Sequence, residues 1–277
     1  MNMCILTVAY DSGHYRARMG RGPEHLFESG LKPLLSRLGH NFKREEITVS
    51  DSYPAEIKTA FALCRAVADR VRANQSDGYF PLVLSGNCNT AVGAISGCGC
   101  QNTGVVWFDA HGESTTPDTT SSGFLDGMGI SILTGQCWRR LALTIPGFDP
   151  VPGKRILLVG SRDLETDEIA LLNRVGVTRV VGTEDQGLQV ALLAQQVNGV
   201  YLHFDLDVLD PSEAIANQWT PNGGLTIEAI KHVVESVQRN TKIKGFGIAS
   251  YDPELDCDGR ALGAAMSVAE LLLGTAI

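Results

Sequence analysis

No apolar run in this sequence reaches the roughly 18 residues that a membrane-spanning helix needs. The stretch from Met1 to Tyr10 has neither a basic start nor a small-residue cleavage site, and Asp11 follows at once. It reads as a first buried strand, not a signal peptide. Basic patches are missing too. Lys and Arg number 23 against 31 Asp and Glu, a net charge of −8 that argues against a nucleic-acid surface. Arg16, Arg18 and Arg21 come nearest to a cluster and read as a solvated loop. The seven cysteines are odd in number and lack the spacing of a disulfide framework, which fits reduced thiols in a cytoplasm. No internal repeat or low-complexity segment breaks the chain.

What is present is an alternation of short β-rich apolar runs with helical patterns, the signature of a parallel sheet covered by helices. Strands are expected at Cys4–Ala9, Phe80–Leu84, Val105–Phe108, Arg155–Val159, Arg179–Val181, Val200–Phe204 and Ile243–Ile248. The clearest helix is Ala55–Asn74, with Pro54 near its first turn and Ile57, Ala60, Phe61, Cys64, Val67, Ala68 and Val71 at helical spacing. Cys64 therefore belongs to a core face. Leu225–Gln238 and Met266–Leu273 are two further helices. The proline-rich loop Pro146–Lys154 has the makings of a hinge, but no composition shift accompanies it, so residues 1–277 are expected to form one domain.

Two segments carry chemistry, each at the end of an apolar strand. One runs Val105-Val106-Trp107-Phe108-Asp109-Ala110-His111-Gly112-Glu113; the other is Phe204-Asp205-Leu206-Asp207-Val208-Leu209-Asp210-Pro211. Ligands of open α/β sheets bind outside the carboxyl ends of the strands. Asp109 and His111 are two apart, as are Asp205 and Asp207, so each pair would point to one side of an extended backbone. Either pair alone is weak evidence and could be a turn. Charged groups directly after buried strands are costly unless paired or metal-bound, and two such pairs on separate strands favour a metal site.

These segments resemble the Asp-Ala-His-x-Asp and Ser-x-Asp-x-Asp-x-x-Asp-Pro motifs of the arginase (ureohydrolase) family. Ser85-Gly86-Asn87-Cys88-Asn89 stands where that family has Gly-Gly-Asp-His-Ser. The resemblance extends from the Gly20–Pro23 turn to Pro253. It implies a three-layer αβα sandwich with a mainly parallel central sheet, and a binuclear cluster, usually of two Mn²⁺ ions per chain, that activates water for attack on a guanidino carbon. Asp109 and Asp205 would bind both ions. Cys88 and Glu113 would complete one ion's shell, and His111 and Asp207 the other's. The set is oxygen-rich with one imidazole, which suits Mn²⁺, while a sulfur ligand at Cys88 would admit Zn²⁺ or Co²⁺.

Four departures from the family pattern bear on substrate. Cys88 replaces a metal-binding His, with a plain buried thiol as the alternative reading. Glu113 replaces an Asp and, by the resemblance, would also deliver a proton to the departing amine. Leu125-Asp126-Gly127 replaces Leu-His-Gly, so Asp126 is either a poorer proton shuttle or a loop-holding residue. Ser250, three residues before Pro253, replaces a Glu that pairs with the substrate guanidinium. Arginine's guanidinium is always protonated, and without a carboxylate at Ser250 a full cation gains less beside two ions. An N-hydroxylated guanidine is less basic and suits the site better. The chain thus looks most like the branch of the family that converts Nω-hydroxy-L-arginine to hydroxyurea and L-ornithine in D-cycloserine biosynthesis.

The same resemblance places Thr115, Thr120 and Ser122 at the substrate α-carboxylate and Glu165 at its α-amino group, which weighs against agmatine. Simple turn formation is the alternative for each. His203 replaces a family Ser and reads equally as an outer-shell group or a satisfied core histidine. The rival readings are an arginase or other ureohydrolase with an ordinary guanidino substrate, and a metal-poor module that only binds. A single-metal deacetylase-like enzyme would not demand both carboxylate motifs. The chain stops just after its last helix, which favours a monomer acting on a small guanidino amino acid.

Overall fold

The computed structural model describes residues 1–49, 55–182 and 185–274. Its centre is an eight-stranded sheet: β1 (Asn2–Val8), β2 (Asn41–Glu46), β3 (Phe80–Ser85), β4 (Gly104–Phe108), β5 (Ile156–Val159), β6 (Thr178–Val180), β7 (Val200–Asp205) and β8 (Ile243–Ala249). Their order across the sheet is β2-β1-β3-β8-β7-β4-β5-β6. Every pairing in it is parallel. The last two strands of the chain are therefore inserted in the middle, between β3 and β4.

Alternate side chains leave opposite faces of each strand, and both faces are buried. Met3, Ile5, Leu82, Phe108 and Phe204 pack under the helices Ile227–Asn240 and Arg260–Gly274. Cys4, Leu6, Val83, Trp107 and Tyr201 pack under Glu56–Ser76 and Thr90–Cys98. The result is a three-layer αβα sandwich, as expected. Among the described residues no helix is long and apolar enough to cross a membrane, and none of the seven cysteines is in a disulfide.

All seven expected strands are present, with ends shifted by a residue or two. β2 was not anticipated, because Asn41-Phe42-Lys43-Arg44-Glu45-Glu46 has no apolar alternation. Among the described residues it is an edge strand paired only with β1, and its charges keep that edge from recruiting another strand. The helix expected from Leu225 begins at Ile227, since the Thr226 hydroxyl accepts the Ala229 N–H at 3.2 Å and caps it. The helix expected from Met266 begins earlier, at Arg260. There the Asp256 carboxylate accepts the N–H groups of Ala261 and Leu262, both at 2.9 Å. Pro54 lies outside the described residues. In the Pro146–Lys154 loop, Phe148 and Val151 are both buried in the core.

Candidate metal centre

β3, β8, β7 and β4 are consecutive neighbours. Because they are parallel, their carboxyl ends lie side by side, and the residues that follow them meet above the middle of the sheet. Cys88 comes from the end of β3, Ser250 from β8, Asp205 and Asp207 from β7, and Asp109 and His111 from β4. The turn after β3 requires glycine at position 86, where a Cβ would lie 2.2 Å from the Tyr10 carbonyl oxygen.

The two carboxylate pairs do converge, but through tight turns and not along extended backbone. The Asp109 Oδ1 accepts the His111 N–H at 2.8 Å, and the Asp205 Oδ1 accepts the Asp207 N–H at 2.8 Å. Leu206–Val208 forms one turn of 3-10 helix. Each Asp folds its own backbone back toward the partner two residues on, which brings both side chains into one space.

Two compact donor groups result. The ligand atoms of Asp109, His111 and Asp207 lie within 4.8 Å of one another, and so do those of Cys88, Asp109 and His203. His111 Nδ1 is 3.3 Å from Asp109 Oδ1 and 3.2 Å from Asp207 Oδ2. Cys88 Sγ is 2.7 Å from Asp205 Oδ2. Asp109 is common to both groups and fully buried, the position a bridging carboxylate would occupy.

The electrostatics call for cations. Asp109, Glu113, Asp126, Asp205 and Asp207 are all buried. Burial, then their mutual repulsion, pushes Asp109, Glu113 and Asp205 above the usual carboxylate range. Burial also opposes ionisation of Asp207, but His111 and the Ala110 N–H outweigh it and hold Asp207 low. Burial disfavours charge on His111 as well; Asp207 and Asp109 override that and push it up to about 12. Burial, reinforced by Asp205 and Asp109, raises the Cys88 thiol well above its ordinary value. Anionic donors this crowded and this dry fit divalent ions, which reverse each penalty and deprotonate a coordinating thiol outright.

Glu113 sits in the left-handed region with φ +51°, a strained conformation for glutamate. Its carboxylate accepts the Gly129 N–H at 3.3 Å. A Cβ at Gly129 would lie 2.8 Å from that carboxylate and 2.9 Å from the Trp107 ring. The extra methylene of a glutamate is thus accommodated by a missing side chain opposite. Ser250 is likewise left-handed, φ +62°, and its carbonyl accepts from Asn217 Nδ2 at 2.7 Å.

Both oxygens of Asp126 are taken by the loop that bears Cys88. Asn87 Nδ2 donates at 2.7 Å and the Asn89 N–H at 2.9 Å. Burial, with help from Asp11 and Asp109, still pushes Asp126 up to about 8 against those two hydrogen bonds. Of the two roles open for Asp126, holding the loop is therefore visible in the contacts.

A cavity of about 540 Å³ opens above the carboxylates, within the range of small-molecule sites. His111, Glu113, Asp126, Asp205, Asp207 and Ser250 line its floor, and Thr115, Ser122 and Glu165 its wall. Thr120 does not line it; its hydroxyl accepts the Gly123 N–H at 3.0 Å and shapes the loop. The neighbouring Ser121 does reach in, donating to Glu165 at 2.7 Å. Phe124 and Trp219, with ring centroids 5.9 Å apart, also line the cavity.

Three supporting residues escaped the sequence reading. Trp107 Nε1–H donates to Asp109 Oδ2 at 2.9 Å. Its position two before Asp109, hence on the same face, was an available signal. Arg162 reaches six backbone carbonyls, those of Gly160, Asp207, Val208, Leu209, Pro221 and Asn222. A basic residue just past the apolar strand β5 hinted at it. Asn217, which holds Ser250, lies in a polar loop with no distinguishing pattern.

Comparison with known proteins agrees with this geometry. Residues 1–274 match the arginase family. The arginase of Bacillus caldovelox is 28% identical over 98% of this chain and 97% of its own length. The arginase of Brevibacillus brevis is 32% identical over 77% of this chain and 78% of its own. The solved structure of the B. caldovelox arginase superposes with a TM-score of 0.90 at 24% identity, covering 100% of this chain and 99% of that one. With its parallel sheet, its strand-end carboxylates and this match along almost its full length, the chain belongs to the arginase family, whose members are binuclear metal-dependent hydrolases of guanidino C–N bonds.

Proposed function

We propose that the protein hydrolyses Nω-hydroxy-L-arginine to hydroxyurea and L-ornithine, in the service of an antibiotic pathway of the D-cycloserine type. The observation that carries this reading is Ser250. It lines the cavity floor where the family resemblance would put a carboxylate, and it offers a hydroxyl instead. A protonated guanidinium meets no added anion there, whereas a hydroxyguanidine can enter uncharged.

Asp109 and Asp205 are assigned to both ions, Cys88 and Glu113 to one, and His111 and Asp207 to the other. The two ions are manganese in this reading, with Zn²⁺ or Co²⁺ accepted on the sulfur side. When bound, they supply a nucleophilic water at neutral pH and polarise the guanidino carbon. The chain's own groups do the rest. Thr115 and Ser122 orient the α-carboxylate and Glu165 the α-amino group. Phe124 and Trp219 add apolar surface to the lining. Glu113 carries the proton that leaves with the ornithine nitrogen, and Asp126 keeps the Asn87–Asn89 loop in place while assisting that transfer. The acting unit in this reading is a monomer.

Comparing kcat/KM for hydroxyarginine and arginine on manganese-loaded protein tests the proposal. Hydroxyarginine is expected to be preferred by at least tenfold, and Ser250→Glu is expected to shift the ratio toward arginine. Preference for arginine by the unaltered protein would return the chain to the ordinary arginases.

A further inference from the structure

Two of the sequence departures meet in one contact. His203, on β7, places its Nε2 3.0 Å from Cys88 Sγ. Both residues are almost wholly buried. Three groups surround the sulfur: Asp205 Oδ2 at 2.7 Å, His203 Nε2 at 3.0 Å and Ser250 Oγ at 3.4 Å. A thiol has one proton, and the shortest of these contacts directs it to Asp205. With the thiol proton on that side, two lone pairs would repel at 3.0 Å, and the tautomer with hydrogen on Nε2 relieves this by pointing it at the sulfur. Once the sulfur is a thiolate it has only lone pairs, and the same N–H becomes a charge-assisted donor. The ring is held by a close, tilted packing on Trp107, 4.1 Å between centroids at an interplanar angle of 46°. Nδ1, the other nitrogen, has no hydrogen-bond partner among the described residues. A bare acceptor is the less costly group to leave there, which again puts the hydrogen on Nε2.

We infer that His203 is a positioning residue that donates Nε2–H to the Cys88 sulfur and so orients it as a ligand for one of the two ions. His203 makes a cysteine workable at this position, with the Ser250 hydroxyl available as a second donor. Trp107 does the matching service for Asp109 on the same face of the sheet. Outer-sphere donors of this kind change metal affinity by about 10–100-fold.

This inference rests on Cys88 being an ion ligand, as proposed above, so the experiment reads both. The purified protein is loaded with Co²⁺, its bound ions are counted, and its sulfur-to-cobalt charge-transfer absorption is recorded with Cys88→Ser as the blank. Protein that takes up no cobalt, or shows no band above that blank, overturns the ligand reading itself. With the band present, His203→Phe and His203→Gln separate packing from hydrogen bonding. Phenylalanine fills the space without a donor; glutamine can set an amide N–H where Nε2 stood. The phenylalanine variant is expected to lose at least tenfold in affinity for one ion and to shift the band to lower energy. The glutamine variant is expected to recover most of both. If both variants match the unaltered protein, the ring is only packing and the inference falls. If both lose the ion equally, the ring is itself a ligand, and the inference falls in the other direction.

Discussion

Removing the Arg162 guanidinium should loosen the segment that presents Asp207 before it affects anything else. The side chain has five N–H donors and faces six carbonyls, of which Asp207, Val208 and Leu209 are consecutive. At least one donor is shared, so five hydrogen bonds is the ceiling. A bond to a charged donor contributes roughly 1.5–3 kcal/mol. Several of these carbonyls reach water when the arginine is gone, and the contributions are not additive. A net loss of about 3 kcal/mol for Arg162→Ala is the reasoned figure. For a chain of this size that corresponds to a fall of roughly 6–12 °C in thermal midpoint. Arg162→Lys keeps the charge but has three donors and no planar fork, so it should fall between the two. Thermal unfolding followed by circular dichroism, on chelator-treated protein, measures this without contribution from ions. Ion affinity should drop in parallel, because Asp207 sits on the released segment. A midpoint for Arg162→Ala within 2 °C of the parent would refute the staple, and unchanged ion affinity would refute its link to the site.

Gly129→Ala should cost about 1–3 kcal/mol through overpacking against Glu113 and Trp107; Glu113→Asp in the same chain should recover part of that, and a thermal double-mutant cycle checks the coupling. Trp107→Phe should cost roughly 1.5–3 kcal/mol by leaving the Asp109 carboxylate short of a donor, measured by urea unfolding. Chelation should abolish turnover and lower the thermal midpoint, since an ion held at 100 times its Kd adds about 2.7 kcal/mol to the folded state, and Mn²⁺ should restore both. Ion affinity should weaken as pH falls, because protons compete with the ions for carboxylates, imidazole and thiolate; titration calorimetry at two pH values reads the sign directly.

The layered fold was legible because its central strands are apolar on both faces and short. Their periodicity survives any helix pattern laid over it. Strand β2 was not legible, since it lies at the sheet edge and its run of charged residues has no apolar alternation. The carboxylates Asp109, Asp205 and Asp207 could be read from their places at strand ends. The reason they converge could not, because a two-residue spacing does not say whether the backbone runs straight or turns. Thr120 and Ser121 show the limit for loops: both are small hydroxyl residues, and only the fold of the loop decides which one faces the cavity. The His203–Cys88 contact was hidden for a different reason. The two residues are 115 positions apart, and nothing local to either announces the other.

The order of the strands has a consequence for how the molecule is made. A ribosome emits Cys88 and His111 long before Asp205 and Ser250, yet the strands carrying the later pair must slot between those carrying the earlier one. Until residue 250 has emerged, the sheet has a gap at its midpoint and the anionic residues bordering it are not fully assembled. Pairings between such distant segments form slowly. The full donor set is therefore expected only after residue 250 has emerged and both late strands have inserted.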